Sequence, residues 1–298
     1  MFVQANSLEE IKRYFNSELS NLYTESEVKL IIKELTIKRL NISPVDFVLV
    51  LRERLSESDL LFYHDALKRL RNQEPFQYIL GEVWFYDLNL KIDSRALIPR
   101  PETEELVDWI KTDLKNHSQP TIMDLCSGSG CIALALKSLM LESNCSAAEY
   151  SEDALSLLRE NTKRTNLSLD ISKMDVLNED DYSYLAPNSF DCWVSNPPYI
   201  PTREKSLMAP NVLKYEPLMA LFVADEDPLI FYRVIAEKAL VYLKKEGVLY
   251  FEINENLTVS MLALLEGLGF VNIELRKDLQ GKDRMMKAQT VSSHHESE

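Results

Sequence analysis

Three groups of residues in this 298-residue chain have types and spacings suited to chemistry. The first is Asn196-Pro197-Pro198-Tyr199, which follows the apolar run FDCWVS. The Asn196 side-chain oxygen and the Pro197 carbonyl are two acceptors, and prolines, with fixed φ and no N–H, hold carbonyls in place. Two fixed acceptors suit a planar amino group. Its nitrogen carries two N–H donors and a delocalised lone pair, so it is a poor nucleophile. Pinning both donors aims the lone pair at an electrophilic carbon, and the acceptor dipoles stabilise the positive charge gained. Tyr199 would offer a ring face to the planar amide or base. No strong general base is needed, because the product sheds its proton easily. The expectation is methyl transfer to a planar amino nitrogen. Asn196, Pro197 and Tyr199 are the candidate catalytic residues, and Asn196, Pro197, Pro198 and Tyr199 the candidate substrate contacts. NPPY alone is equally an ordinary proline turn; its place downstream of a glycine-rich turn gives it weight.

That turn is the second group. Asp124-Leu-Cys-Ser-Gly-Ser-Gly leads from an apolar run into the helical CIALALKSLM, and it holds two of only seven glycines in the chain. Small residues let the backbone approach a ligand, and a helix start supplies free N–H donors. The third group is the acid Glu149 at the end of the next apolar run, placed to accept from two ribose hydroxyls across a strand-switch crevice. A nucleoside-type ligand is implied. Gly128, Gly130 and Ala133 stand at the three positions of a dinucleotide fingerprint, so spacing leaves NAD open, as it leaves open a turn that binds nothing. Asp124, two residues before the turn, favours a ligand without phosphate: a carboxylate aimed at the site repels pyrophosphate and suits a cation. S-adenosyl-L-methionine has a sulfonium and an ammonium and no phosphate.

Composition narrows the partners. Lys and Arg number 33 against 47 Asp and Glu, a net charge of −14. This argues against broad binding of a phosphate backbone, which needs clustered bases. It fits a small molecule or a basic protein surface. No run of about 18 apolar residues marks a membrane span, and the N-terminus lacks the pattern of a secretory signal. Cys126, Cys131, Cys145 and Cys192 form no CxxC pair and have no His at ligand spacing, so reduced, mostly buried cysteines and a cytoplasmic location are expected, with no metal. His294 and His295 lie in the polar tail SSHHESE, expected to be disordered.

The elements that must position these groups follow from periodicity. Residues 1–73 read as a helical bundle. Ser7 with Glu10 and Thr24 with Glu27 make capping boxes, Ser43-Pro44 opens a helix through residues 47–51, and another runs over 58–71. No catalytic constellation falls there, so partner recognition is its expected role. Residues 74–100 read as a linker with strand character in QYILG, then a hairpin in which Tyr86, Leu88, Leu90 and Ile92 alternate at period two. From 101 to 291 strands and helices alternate, with strands at 121–125, 145–149, up to Asp175, at 190–195, 247–253, 271–276 and 285–291. This pattern argues for an α/β doubly wound sheet. Residues 292–298 form the tail.

At this point the residues resemble a known family. Gln77-Tyr78-Ile79-x-Gly81, Leu97-Ile98-Pro99-Arg100-Pro101-Glu102-Thr103-Glu104, DLCSGSGCIALAL, SNPPYI and Glu216-Pro217-x-x-Ala220-Leu221 look like the release factor glutamine methyltransferases, the HemK/PrmC family, over nearly the whole chain. The resemblance implies a class I S-adenosylmethionine-dependent methyltransferase fold. It implies methylation of the side-chain amide nitrogen of the glutamine in the Gly-Gly-Gln loop of class I peptide chain release factors, without direct contact to nucleic acid or membrane. Carried over, the cofactor contacts are Asp124, Cys126, Ser127, Gly128, Ser129, Gly130, Glu149, Asp175, Val176 and Asn196. Three departures stand out: Cys126 where Gly is common, with its side chain required to point away from the cofactor; Glu149 where Asp is usual; and Asp225-Glu226-Asp227 where a Gly-containing turn is usual. The alternative is an amino-methyltransferase acting on a base in nucleic acid, which would use the same acceptors but need a basic track and base extrusion.

Overall fold

The computed structural model describes residues 6–291; the tail with His294 and His295 lies outside the described residues. In chain order the elements begin with four helices, α1 (Leu8–Leu19), α2 (Glu25–Leu40), α3 (Glu57–Arg71) and α4 (Phe76–Leu80). The strand pair β1 (Glu82–Phe85) and β2 (Leu88–Lys91) follows. Next come α5 (Pro101–Leu114), β3 (Thr121–Leu125), α6 (Cys131–Leu139), β4 (Asn144–Glu149), α7 (Glu152–Thr165), β5 (Asp170–Lys173) and β6 (Phe190–Ser195). The chain continues through β7 (Ile200–Pro201), α8 (Pro210–Tyr215) and β8 (Phe222–Val223). It closes with α9 (Ile230–Tyr242), β9 (Leu243–Glu252), α10 (Thr258–Gly267), β10 (Val271–Lys277) and β11 (Asp283–Gln289). No helix among the described residues is long and apolar enough to cross a membrane.

The chain divides into two compact units, at places other than those expected. The first runs up to Glu82 and includes Ala209–Tyr215; the second holds Val83–Met208 and the chain from Glu216 onward. The stretch 74–100 is therefore not one linker: α4 belongs to the first unit and β2 to the second.

In the first unit, α1 starts where Ser7 Oγ accepts from the Glu10 N–H, and α2 starts at a capping box of Thr24 and Glu27. Leu8, Ile11, Phe15 and Leu19 recur at helical spacing on one face of α1, all fully buried against Val28, Ile31, Ile32 and Leu35 of α2. The helix expected at 47–51 is instead a 3₁₀ helix over Asp46–Arg52. Only Phe47 of it is buried, so no apolar face sustains a longer helix, and Val45, Val48 and Leu49 stay exposed. QYILG is not a strand. It is the single turn α4, begun after Pro75 and closed by left-handed Gly81, whose N–H donates to the Gln77 carbonyl. The period-two pattern through Tyr86 is broken as well: Tyr86 takes φ 51° between β1 and β2, and its N–H donates to Glu104 Oε1 at 2.7 Å.

The second unit is built on a seven-stranded sheet in the order β10-β11-β9-β6-β3-β4-β5. The run β9-β6-β3-β4-β5 is parallel, and β11 and β10 close one side antiparallel. Period-two alternation divides each strand between two layers. Ile122, Cys192, Val194 and Tyr250 face a core with α5 and α6, while Met123, Trp193, Leu249 and Phe251 face one with α9 and α10. The chain runs β3, β4, β5 outward, then returns to place β6 on the other side of β3. Strand order reverses there, so the loops after β3 and β6 flank a crevice at the carboxyl ends of the strands.

One buried polar chain in the first unit is testable. Tyr63 donates to Thr36 Oγ1 at 2.9 Å, and Thr36 donates to the Ile32 carbonyl at 2.6 Å, with both residues fully buried. Thr36→Val strands the Tyr63 hydroxyl and should cost about 1–3 kcal/mol in urea unfolding. Adding Tyr63→Phe should recover most of that loss.

Candidate active site

The loop between β3 and α6 has left-handed backbone at three alternate positions: Cys126 (φ 61°), Gly128 (56°) and Gly130 (81°). At Gly130 a side chain is excluded twice, by φ and by Leu158 Cγ only 3.0 Å from where a Cβ would stand. At Gly128 a Cβ would meet no protein atom within 4 Å, and the residue lines the cleft described below. Cys126 carries a Cβ in this conformation, at a cost of about 1–2 kcal/mol, which is why a glycine suits the position. Its side chain packs against the core shared with α9 and α10, and burial pushes the thiol pKa well up.

Five clamps hold the loop. The Ser127 N–H and hydroxyl both donate to the Ala148 carbonyl, at 3.1 and 2.9 Å. The Gly128 N–H donates to Glu149 Oε2 at 2.9 Å. Asn161 Nδ2 donates to the Ser129 carbonyl at 3.0 Å, and the Ala133 N–H donates to Asp124 Oδ2 at 3.1 Å. Glu149, placed at its strand end by pairing with β3 and β5, also accepts from the Ser151 N–H at 2.8 Å.

Beside this loop lies a cleft of about 410 Å³ within the second unit. Of the expected residues, Cys126, Ser127, Gly128, Ser129, Glu149, Asp175, Val176, Asn196 and Pro198 line it. Asp175 follows β5, which ends two residues earlier than expected; its N–H donates to Asp181 Oδ2 at 2.7 Å. Beside it, Met174 and Val176 are buried and give the wall an apolar stretch suited to a base.

Four expected residues lie elsewhere. Gly130 is the turn into α6. Asp124 is a correction: it does not face the cleft but is fully buried under the loop, where one oxygen holds the α6 start and the other, Oδ1, has no partner. A carboxylate has to leave water to reach that helix start, and burial pushes its pKa up to about 8, with Glu149 adding to the rise. The exclusion of pyrophosphate by a charge in the cleft therefore does not hold. Pro197 is buried between Asn196 and Pro198, which do line the cleft. Tyr199 does not line the cleft; its hydroxyl donates to buried Glu252 Oε1 at 3.1 Å, so the ring is drawn away from the cleft wall.

Residues outside the expected site complete the walls. Arg100 and Thr103 line the cleft, as do Phe222 and Phe231. Arg100 donates to Glu216 Oε1 at 2.5 Å, and the Ile98 N–H donates to Glu216 Oε2 at 3.1 Å. Two motifs of the resemblance, LIPRPETE and EPxxAL, thus meet at one buried carboxylate. Their co-occurrence in the sequence was the only signal for that meeting.

The buried Asp124 has a signature in pH. The folded chain holds its proton to about pH 8, while the unfolded chain releases it near pH 4. Between those values the folded state binds more protons, so the stability present below pH 4 is lost as pH rises toward 8. Asp124→Asn lacks that loss. The melting temperature of the native chain minus that of the variant should fall steadily from pH 4 to 8; a constant difference would show an ordinary carboxyl.

Comparison with known proteins agrees with this geometry. Residues 103–214 match the methyltransferase small domain and residues 10–81 the PrmC N-terminal domain. A release factor glutamine methyltransferase of Flavobacterium psychrophilum is 39% identical over 93% of this chain and 98% of that protein. One of Bacteroides thetaiotaomicron is 36% identical over the same shares. Among solved structures, a methyltransferase from Pyrococcus furiosus superposes with TM-score 0.50 at 16% identity, over 70% of this chain and 91% of that one, which shows a likeness of fold. With relatives this similar over nearly their full length, the chain belongs to the release factor glutamine methyltransferase family.

Proposed function

We propose that the chain methylates the side-chain amide nitrogen of the glutamine in the Gly-Gly-Gln loop of a class I peptide chain release factor. The observation that carries this reading is an intact Asn196-Pro197-Pro198-Tyr199 whose Asn196 and Pro198 line the same cleft as Glu149 and the β3–α6 loop, in a chain of this family. S-adenosyl-L-methionine, when bound, supplies an electrophilic methyl group. The residues present fit it: open space at Gly128, an acid at the end of β4, and an apolar wall at Met174 and Val176. Cys126–Ser129, Glu149, Asp175, Val176 and Asn196 would hold it. Each Glu149 oxygen already accepts one backbone N–H. A carboxylate offers about four lone-pair sites, so both oxygens can also take a ribose hydroxyl.

Asn196 and the Pro197 carbonyl accept the two amide N–H bonds of the substrate. These acceptors are held before substrate arrives. The Ser195 hydroxyl donates to the Leu125 carbonyl at 2.7 Å, and the Ile200 N–H donates to the Leu221 carbonyl at 3.0 Å, fixing both ends of the tetrapeptide. Positive charge growing on the nitrogen meets two dipoles already oriented, so little reorganisation is needed. The nitrogen then sheds its extra proton to water.

Incubation with methyl-labelled S-adenosylmethionine and either a release factor or total RNA tests the reading. Mass added at the Gly-Gly-Gln peptide supports it; label in RNA instead would favour a base-methylating enzyme. Asn196→Ala should lower turnover by roughly 100-fold or more. Glu149→Ala should weaken cofactor binding by roughly 10- to 150-fold in calorimetry, and an unchanged affinity would put the ribose elsewhere.

Partner recognition we assign to the first unit, which carries exposed Val45 (81%), Val48 (66%) and Leu49 (74%) around its 3₁₀ helix. One exposed glutamine must be chosen among many, and contacts far from the amide supply that choice. Val48→Lys with Leu49→Lys should raise KM for the intact release factor by about fivefold or more, while leaving a short Gly-Gly-Gln peptide unaffected. Equal KM changes for both substrates would remove this assignment.

A further inference from the structure

One buried acid beside the tetrapeptide has no part in the reaction described so far. Glu252 ends β9 and is 3% exposed. Its Oε1 accepts from the Tyr199 hydroxyl at 3.1 Å and its Oε2 from the Thr103 hydroxyl at 2.6 Å. Thr103 stands in the first turn of α5 and lines the cleft. Tyr199 ends the tetrapeptide whose Asn196 and Pro198 line it as well. One carboxylate therefore fastens two walls of the cleft.

The acid is itself held in place. Its carbonyl accepts from the Tyr232 hydroxyl at 3.0 Å, and Glu252 pairs with Met285 in the sheet. Two residues further on, Asn254 Nδ2 donates to the Tyr199 carbonyl at 3.5 Å, so the end of β9 grips Tyr199 at both its hydroxyl and its backbone. Packing alone gives no reason for this choice. A carboxylate taken out of water and bonded only by hydroxyls, with the Arg284 charge near but making no bond to it, is costly, and apolar side chains of the same volume often fill such a site as stably. What the carboxylate adds is direction: two charge-assisted hydrogen bonds are shorter and more orienting than neutral ones.

Building on the function proposed above, we infer that Glu252 is a positioning residue for methyl transfer. Through the Tyr199 hydroxyl it sets the tetrapeptide so that the Asn196 and Pro197 acceptors meet the substrate amide, and through Thr103 it fixes the start of α5 that also lines the cleft. The groups facing it are Thr103 and Glu102 of α5, Cys131 at the start of α6, Tyr199, Tyr232 of α9 and Arg284 of β11. Burial raises its pKa above the ordinary glutamate range. Protonation converts an acceptor oxygen into a donor and breaks one of the two bonds, so turnover should fall as pH drops through that raised value.

The test uses the full chain with an intact release factor. Turnover, KM and cofactor affinity are measured for the native chain, Glu252→Gln, Glu252→Asp, Tyr199→Phe and the Glu252→Gln/Tyr199→Phe double variant. Each single change should lower kcat by roughly 10- to 100-fold with cofactor affinity essentially unchanged. Glu252→Asp keeps the charge but, one methylene shorter, does not reach both hydroxyls, and should lose activity too. The double variant should be no worse than the weaker single one, because both remove the same link. The acid limb of the pH profile should vanish in Glu252→Gln. Native kcat in Tyr199→Phe, or losses that multiply in the double variant, would overturn the inference. Tyr199→Phe deletes a single oxygen and leaves the Thr103 bond, so it remains decisive if the Glu252 variants fail to fold. A native chain that leaves the glutamine unmodified overturns the functional reading along with this one; a native chain that methylates it, beside fully active variants, overturns this one alone.

Discussion

The second unit depends on a backbone that turns left-handed three times within five residues. Between β3 and α6 the chain has to reverse direction, start a helix and present N–H groups outward, all within Cys126–Gly130. Right-handed residues do not make that path. Two glycines and one strained cysteine do, and the surroundings are arranged to keep them there. Ala148, Glu149 and Asn161, from two different elements, hold the loop, and Asp124 holds the helix start that follows it. The strand order follows the same need: β4 must lie beside β3 for Glu149 to reach Gly128, and β6 on its other side for Ser195 to reach the Leu125 carbonyl.

Much of this was legible in the sequence, and the reason is locality. Strands at 121–125 and 190–195 have the bounds expected from apolar runs. The glycine turn, Glu149 and Asn196 were readable because spacing along the chain fixes their place at strand ends. What escaped reading depends on partners distant in sequence. Asp124 looked like an acid in a cleft; only packing decides that its carboxylate points beneath the loop. Tyr86 interrupts a perfect alternation because Glu104 accepts its N–H in a left-handed turn. Glu252 carried no local signal at all, since its two donors lie 149 and 53 residues away. The membership of Ala209–Tyr215 in the first unit was equally hidden.

The acids of this chain fall into two kinds, which explains how a net charge of −14 coexists with a well-packed interior. Most lie at the surface. A few are buried, and each of these is held differently. Glu216 has the Arg100 guanidinium and a backbone N–H. Asp124 has one N–H and an empty second oxygen, so neutrality is its cheapest state under the loop. Glu252 has two hydroxyls. Each of these three bonds a segment that lines the cleft, whereas Asp278, also buried, is held elsewhere by Arg284 and two backbone N–H groups.

The return of Ala209–Tyr215 to the first unit has a consequence for how the protein is made. There the Tyr215 hydroxyl donates to the Asn72 carbonyl at 2.9 Å. On the ribosome, residues up to Glu82 emerge first, and the segment that completes their unit follows roughly 130 residues later. At ~5–20 residues per second that interval is on the order of ten seconds. Throughout it the nascent helical unit waits with one side uncovered, and its last tie forms only when most of the sheet has already been synthesised. The order of birth thus leaves the helical unit, begun before the sheet, unfinished until four of the seven sheet strands have been made.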